Sequence, residues 1–107
     1  MTTKTKRLPV ACFGRIVTTR AVHDEVPAGL VRYLISRHLA NDWGDLDEHD
    51  CAINAEACNQ GEGRVHSSYS RDEAKDKIWV ISYLSSDPKT QADPNCCNTT
   101  VMFAGEY

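Results

Sequence analysis

Fifteen carboxylates, four histidines and five cysteines are the groups that could carry chemistry in this chain of 107 residues. Zinc takes four thiolate or imidazole ligands, usually with a Cys-x-x-Cys knuckle among them. His49, Cys51 and Cys58 fall near one another, and Cys96-Cys97 lie far downstream, but no knuckle is present. The cysteines read as small buried residues and loop thiols, so neither a metal nor another cofactor is expected. A hydrolytic centre needs a base fixed against a nucleophile. His23, His38, His49 and His66 are available, with Ser67, Ser68 and Ser70, yet no Gly-x-Ser-x-Gly elbow, P-loop or His-Glu-x-x-His occurs. No catalytic residue is assigned, and no reaction is expected. Trp79, Tyr69 and Tyr83 with Arg71 and Lys77 could stack bases, but the glycine-aromatic signature of RNA-binding sheets is missing, and core packing is the expected fate.

The carboxylates carry the stronger signal. No Lys or Arg occurs between Arg37 and Arg64, while Asp42, Asp45, Asp47, Glu48, Asp50, Glu56 and Glu62 do. Two readings are open. The first is a solvated helix face with acids at its positive pole. The second is a binding face of one sign, which gives up i,i+4 pairs and projects a field. Asp42, Asp45, Asp47, Glu48, Asp50 and Glu56 are the candidate partner-binding residues of the second reading.

These acids sit on a junction between two helices. Pro27 opens the first, and Leu30, Val31, Leu34, Ile35 and Leu39 form its apolar stripe. His38 is expected at its negative pole, where a cation is favoured. Gly44 is expected to end it in the left-handed conformation. Asp45 and Glu48 have capping-box spacing, and the second helix is expected from about Leu46 to Gln60. Trp43 should pin the turn by burial. Gly61 and Gly63 end the second helix.

Around the helices lie strand patterns. Leu8 to Thr18 reads as a strand bulged near Gly14, and Thr19 to Glu25 as a short helical turn. Arg64 to Arg71 alternates, Lys77 to Leu84 is apolar on both faces, and Thr99 to Phe103 is the last strand. A long loop spans 85–98. The prediction is an α+β fold: an antiparallel three- to four-stranded sheet packed against two or three helices. Residues 1–7, with Lys4, Lys6 and Arg7, read as a flexible basic tail, and 8–107 as a single domain. Net charge is −3, so direct nucleic-acid binding by the whole molecule is not expected. No apolar run is long enough for a membrane span and no signal peptide is seen, so a cytoplasmic protein with reduced cysteines is expected.

Several segments in order resemble a group of small proteins from bacterial plasmids and integrated elements. They are Gly14-Arg15-Ile16-Val17-Thr18-Thr19, Arg37-His38, Asp42-Trp43-Gly44-Asp45-Leu46, Lys77-Ile78-Trp79-Val80-Ile81, Thr99-Thr100-Val101 and Gly105-Glu106-Tyr107. The Trp-Gly-Asp-Leu junction and the terminal Glu-Tyr are the most specific parts. The insertion near Asp87 to Cys97 and the cysteine content depart from the pattern. The resemblance implies a mobile-element habitat, where small proteins often counter host defence, including anti-CRISPR and anti-restriction proteins. The expected function is therefore non-enzymatic inhibition of a host nucleoprotein complex. Its partner would be a cationic nucleic-acid-binding protein or a CRISPR surveillance complex, met by the acidic face. The alternative is a plasmid accessory or regulatory protein that binds protein or nucleic acid through the basic tail and the sheet.

Overall fold

The computed structural model describes residues 15–71, 76–85, 89 and 98–107. The chain runs β1 (Ile16–Thr18), α1 (Arg20–Glu25), α2 (Ala28–Leu39), α3 (Glu48–Gln60), β2 (Gly63–Tyr69), β3 (Ile78–Leu84) and β4 (Thr99–Phe103), and closes on a 3-10 turn, Ala104–Glu106. The fold is α+β, a mixed four-stranded sheet with three helices packed against it. Strand order is β1-β4-β3-β2. The β2–β3 and β3–β4 pairs are antiparallel, as expected of a meander. β1 departs from it by pairing parallel to β4, an orientation that the long connection through three helices and two strands permits.

The register explains the core. Val65, Ser82 and Thr99 form one row across the sheet, Ser67, Val80 and Val101 the next, and Tyr69, Ile78 and Phe103 the third. All nine side chains are buried. Val22, Val26, Val31 and Leu34 cover the apolar part of this face from α1, its C-cap and α2. Each such side chain contributes roughly 1.5–3 kcal/mol by leaving water. A second cluster joins Ala57 and Cys58 of α3 to Val65 and Leu84, with Leu39 and Trp43 packed beside it. Trp43 thus packs under the junction, as its size predicts.

The helix ends correct the sequence reading in detail. Pro27 is the N-cap of α2 and not its first helical residue. After Leu39 the left-handed position is taken by Asn41, at φ 61°, a residue whose short side chain tolerates that region. Gly44 does have positive φ, 76°, but it lies in a bridge to β2 and does not end the helix. The expected capping box at Asp45 and Glu48 is not formed. Asp47 caps α3 two residues later, its carboxylate accepting the Asp50 N–H at 2.8 Å. Asp45 is pulled away by contacts to β2, which leaves Asp47 to supply the oxygen. Gly61, left-handed at φ 72°, ends α3 as predicted.

The tail 1–7, most of the strand expected from Leu8, Cys12, most of the 85–98 loop, Cys96 and Cys97 lie outside the described residues. Among the described residues no helix is long and apolar enough to cross a membrane.

Candidate functional site

β2 is an edge strand, and His66 and Ser68 turn their backbone groups away from β3. An edge left open in this way invites pairing with other chains. Two devices close it here. The Ser68 N–H donates to the Trp43 carbonyl at 3.1 Å, and the Asp45 N–H donates to the Ser68 carbonyl at 2.9 Å. The Asn54 side chain then meets His66 twice: its Nδ2 donates to the His66 carbonyl at 2.7 Å, and its Oδ1 accepts the His66 N–H at 3.1 Å. The junction and α3 are therefore fastened to successive outward positions of one strand.

Gly44 lies where the junction touches β2, in a parallel bridge to Ser68. A Cβ there would overlap the Ser68 carbonyl oxygen and come within 2.8 Å of Tyr69 Cδ1. Glycine is thus required both by space and by φ. The buried Tyr69 hydroxyl donates to the Asp42 carbonyl at 2.6 Å, and burial pushes its pKa up to about 12. Arg37 grips the Asp42 carboxylate with Nε at 2.7 Å and Nη2 at 3.2 Å, and its guanidinium lies 4.7 Å from the Tyr69 ring centroid.

These contacts redistribute the acidic run. Cations reach it from outside the sequence interval. Arg37 pairs with Asp42 and, through its hydrogen bonds, holds that carboxyl below its ordinary range. Lys77 lies 3.1 Å from Asp45, which also accepts from the Ser70 hydroxyl. Burial pushes the Asp45 carboxyl up, but the hydrogen bonds from Ser70 and Lys77 outweigh it, so the net shift is downward. Asp42 and Asp45 are thus structural acids with their own cations.

Asp47, Glu48, Asp50 and Glu56 remain. Asp47, Glu48 and Glu56 are exposed and Asp50 is half-buried. Glu56 accepts from Gln60 at 3.1 Å, and among the described residues none of the four has an ion-pair partner. Ile53 stands between Asp50 and Glu56 on α3 with half its surface exposed. Beside it, between α3 and the sheet, lies a cavity of about 320 Å³ lined by Asp50, Ile53, Asn54, Arg64 and His66.

The other constellations separate. His66 packs edge-on against Trp79, with ring centroids 4.3 Å apart, and Tyr107 covers Trp79 at 5.4 Å. Tyr69 is on the opposite, buried face, Lys77 is engaged by Asp45, and Arg71 lies over Phe103. They form no stacking platform together. Burial pushes up the pKa of both described thiols, Cys51 and Cys58, which disfavours the thiolate needed for metal binding or attack. Among the described residues no group of three or more His, Cys, Asp or Glu is placed to hold a metal ion.

His38 overturns its expected role. It is fully buried and is no terminal cation. Its Nδ1 is 2.6 Å from Ser67 Oγ and its Nε2 is 2.9 Å from Ser82 Oγ, which in turn is 2.6 Å from Thr99 Oγ1. Desolvation lowers its pKa to about 4, aided by His66. The imidazole is therefore neutral at neutral pH. Histidine beside serine suggests a nucleophile, but all four side chains are sealed from solvent in this conformation. Val31, Leu34 and His38 share the helical stripe, and Ser67, Ser82 and Thr99 share the inward phase of three strands. That coincidence was the available signal.

Comparison with protein-family models, with curated proteins and with solved structures finds no match.

Proposed function

We propose that this protein acts by binding and catalyses no reaction. The acidic face of α3, formed by Asp47, Glu48, Asp50 and Glu56, enters a cationic nucleic-acid channel of a bacterial defence complex. An inhibitor of the anti-CRISPR type, encoded by a mobile element and working in the host cytoplasm, is the specific form of this reading. The observation that supports it is the absence of any ion-pair partner for these four acids among the described residues, on a helix fastened to the sheet through Asn54. Fixed charges lose little freedom on binding. Complementary potentials raise the encounter rate and reject anionic partners more than they add affinity. Asp42 and Asp45 add less to the field, since Arg37 and Lys77 offset them; their role is to hold the junction.

The test is charge reversal that spares the cap. Asp47 should be kept, because losing a capping carboxylate costs about 1 kcal/mol of stability. The triple variant Glu48→Lys, Asp50→Lys, Glu56→Lys is expected to weaken binding to a purified CRISPR surveillance complex by roughly a hundredfold at low salt. The wild-type protein should lose affinity steeply as salt rises, and the variant should not. Unchanged affinity in the variant removes the acidic face from the account. Loss of binding on deleting residues 1–7 instead would favour an accessory role for the basic tail.

A further inference from the structure

We propose that His38 is an acid-sensitive latch: protonating its imidazole, which bridges α2 to β2 and β3 through neutral hydroxyls alone, detaches the end of α2 from the sheet and frees the junction that follows it.

The geometry makes the imidazole a clamp. His38 is in the last turn of α2, and its two ring nitrogens hold Ser67 of β2 and Ser82 of β3, with Thr99 of β4 completing the chain of hydroxyls. Neutral imidazole has one N–H donor and one bare acceptor nitrogen, and a hydroxyl can complement either. A second proton makes both nitrogens donors. The serine oxygens can still accept, so no hydrogen bond need be lost, but a full positive charge is then enclosed with nothing to balance it.

Among the described residues no acid acts on the ring. On α2 the adjacent Arg37 is directed to Asp42, whose carboxylate it occupies. From β2, Tyr69 remains a neutral phenol, and His66, a second base, disfavours the charge on His38. β3 and β4 present the hydroxyls of Ser82 and Thr99. No carboxylate of α3 acts on the ring. The proton is therefore taken up by the opened form. Opening should begin at the C-terminal end of α2, because Arg37, His38 and the Asp42 contacts to Arg37 and Tyr69 follow one another there.

The linkage has a definite sign. The folded pKa, about 4, lies below the ordinary 6.5. The opened state thus binds more protons between those values, and the closed state loses ground as pH falls through that window. From pH 7.5 to 5 the closing equilibrium should fall by about thirtyfold through this residue alone. This device is independent of what α3 binds.

Ring nitrogen NMR and amide hydrogen exchange on the whole protein test it. In the wild type the His38 ring should stay neutral in the folded signal down to pH 5, while exchange of the last α2 amides, corrected for intrinsic pH dependence, accelerates by roughly tenfold or more. In His38→Asn the added acid sensitivity should vanish. If that variant does not fold, the wild-type measurements decide alone. A ring that titrates near 6.5 with α2 still protected would overturn the latch, and so would undiminished acid sensitivity in a folded His38→Asn protein.

Discussion

Gly44→Ala should destabilise the protein by roughly 2–4 kcal/mol, combining the strain of positive φ with displacement of the junction from β2. The added methyl group meets the Ser68 backbone, which cannot swing aside as the tip of a long side chain can. The junction must lift, and the Ser68 N–H and carbonyl then lose Trp43 and Asp45. The same substitution at Gly29 is an internal control. A Cβ at Gly29, in the first turn of α2, meets nothing within 4 Å. Alanine there should be neutral or stabilising by about 0.5–1 kcal/mol. Urea unfolding of both variants checks the pair: a lower midpoint at Gly44 and an equal or higher one at Gly29, with slopes unchanged. Equal midpoints would show that the junction is not held by close backbone approach.

The second large effect is expected at Asn54. Asn54→Leu keeps the branched shape of the side chain but removes both hydrogen bonds to the His66 backbone. The side chain is 3% exposed, so water cannot replace it freely. Unpaired backbone groups in such a setting cost about 1–3 kcal/mol each, and a total of roughly 2–4 kcal/mol is expected. Hydrogen exchange should show the His66 amide losing protection first. Asn54→Asp should lie between wild type and Asn54→Leu, since the carboxylate can still accept from the His66 N–H but cannot donate to its carbonyl. A wild-type melting temperature for Asn54→Leu would mean that α3 is held by Ala57 and Cys58 packing alone.

The contrast between Asp47 and Asp45 shows what was legible in the sequence. Element types follow from periodicity and punctuation, so α2, α3 and the strands at Lys77–Leu84 and Thr99–Phe103 could be read directly. A helix start is a competition among nearby oxygens, and only tertiary contacts settle it. Ser70 and Lys77 take Asp45 away from the helix, and Asp47 caps it. The parallel pairing of β1 is also a long-range event with no local signature. Two acids of the run, Asp42 and Asp45, were placed by the same long-range effect. A cation-free interval of sequence is not a cation-free region of space: Arg37 and Lys77 come in from either side of it. Position alone is a poor guide to His38, since a histidine at a helix terminus is favoured by the dipole only where water or an acid can share its charge. The stripe formed by Val31, Leu34 and His38 points the ring into the core instead.

Asp47, Glu48, Asp50 and Glu56 are carried on a helix whose start is set by its own cap and whose middle is fastened to an edge strand. Their spacing is therefore preset before any encounter. On the proposed reading, the half-exposed Ile53 among them would offer an apolar contact beside the charges.

Competition with nucleic acid tests the central claim most directly. A surveillance complex is first saturated with this protein, and a short duplex matching its guide is then titrated in at fixed ionic strength. If α3 occupies the nucleic-acid channel, the duplex must displace the protein, and the apparent affinity of each must fall in proportion to the concentration of the other. A stable ternary complex, with both bound at their independent affinities, would contradict the account.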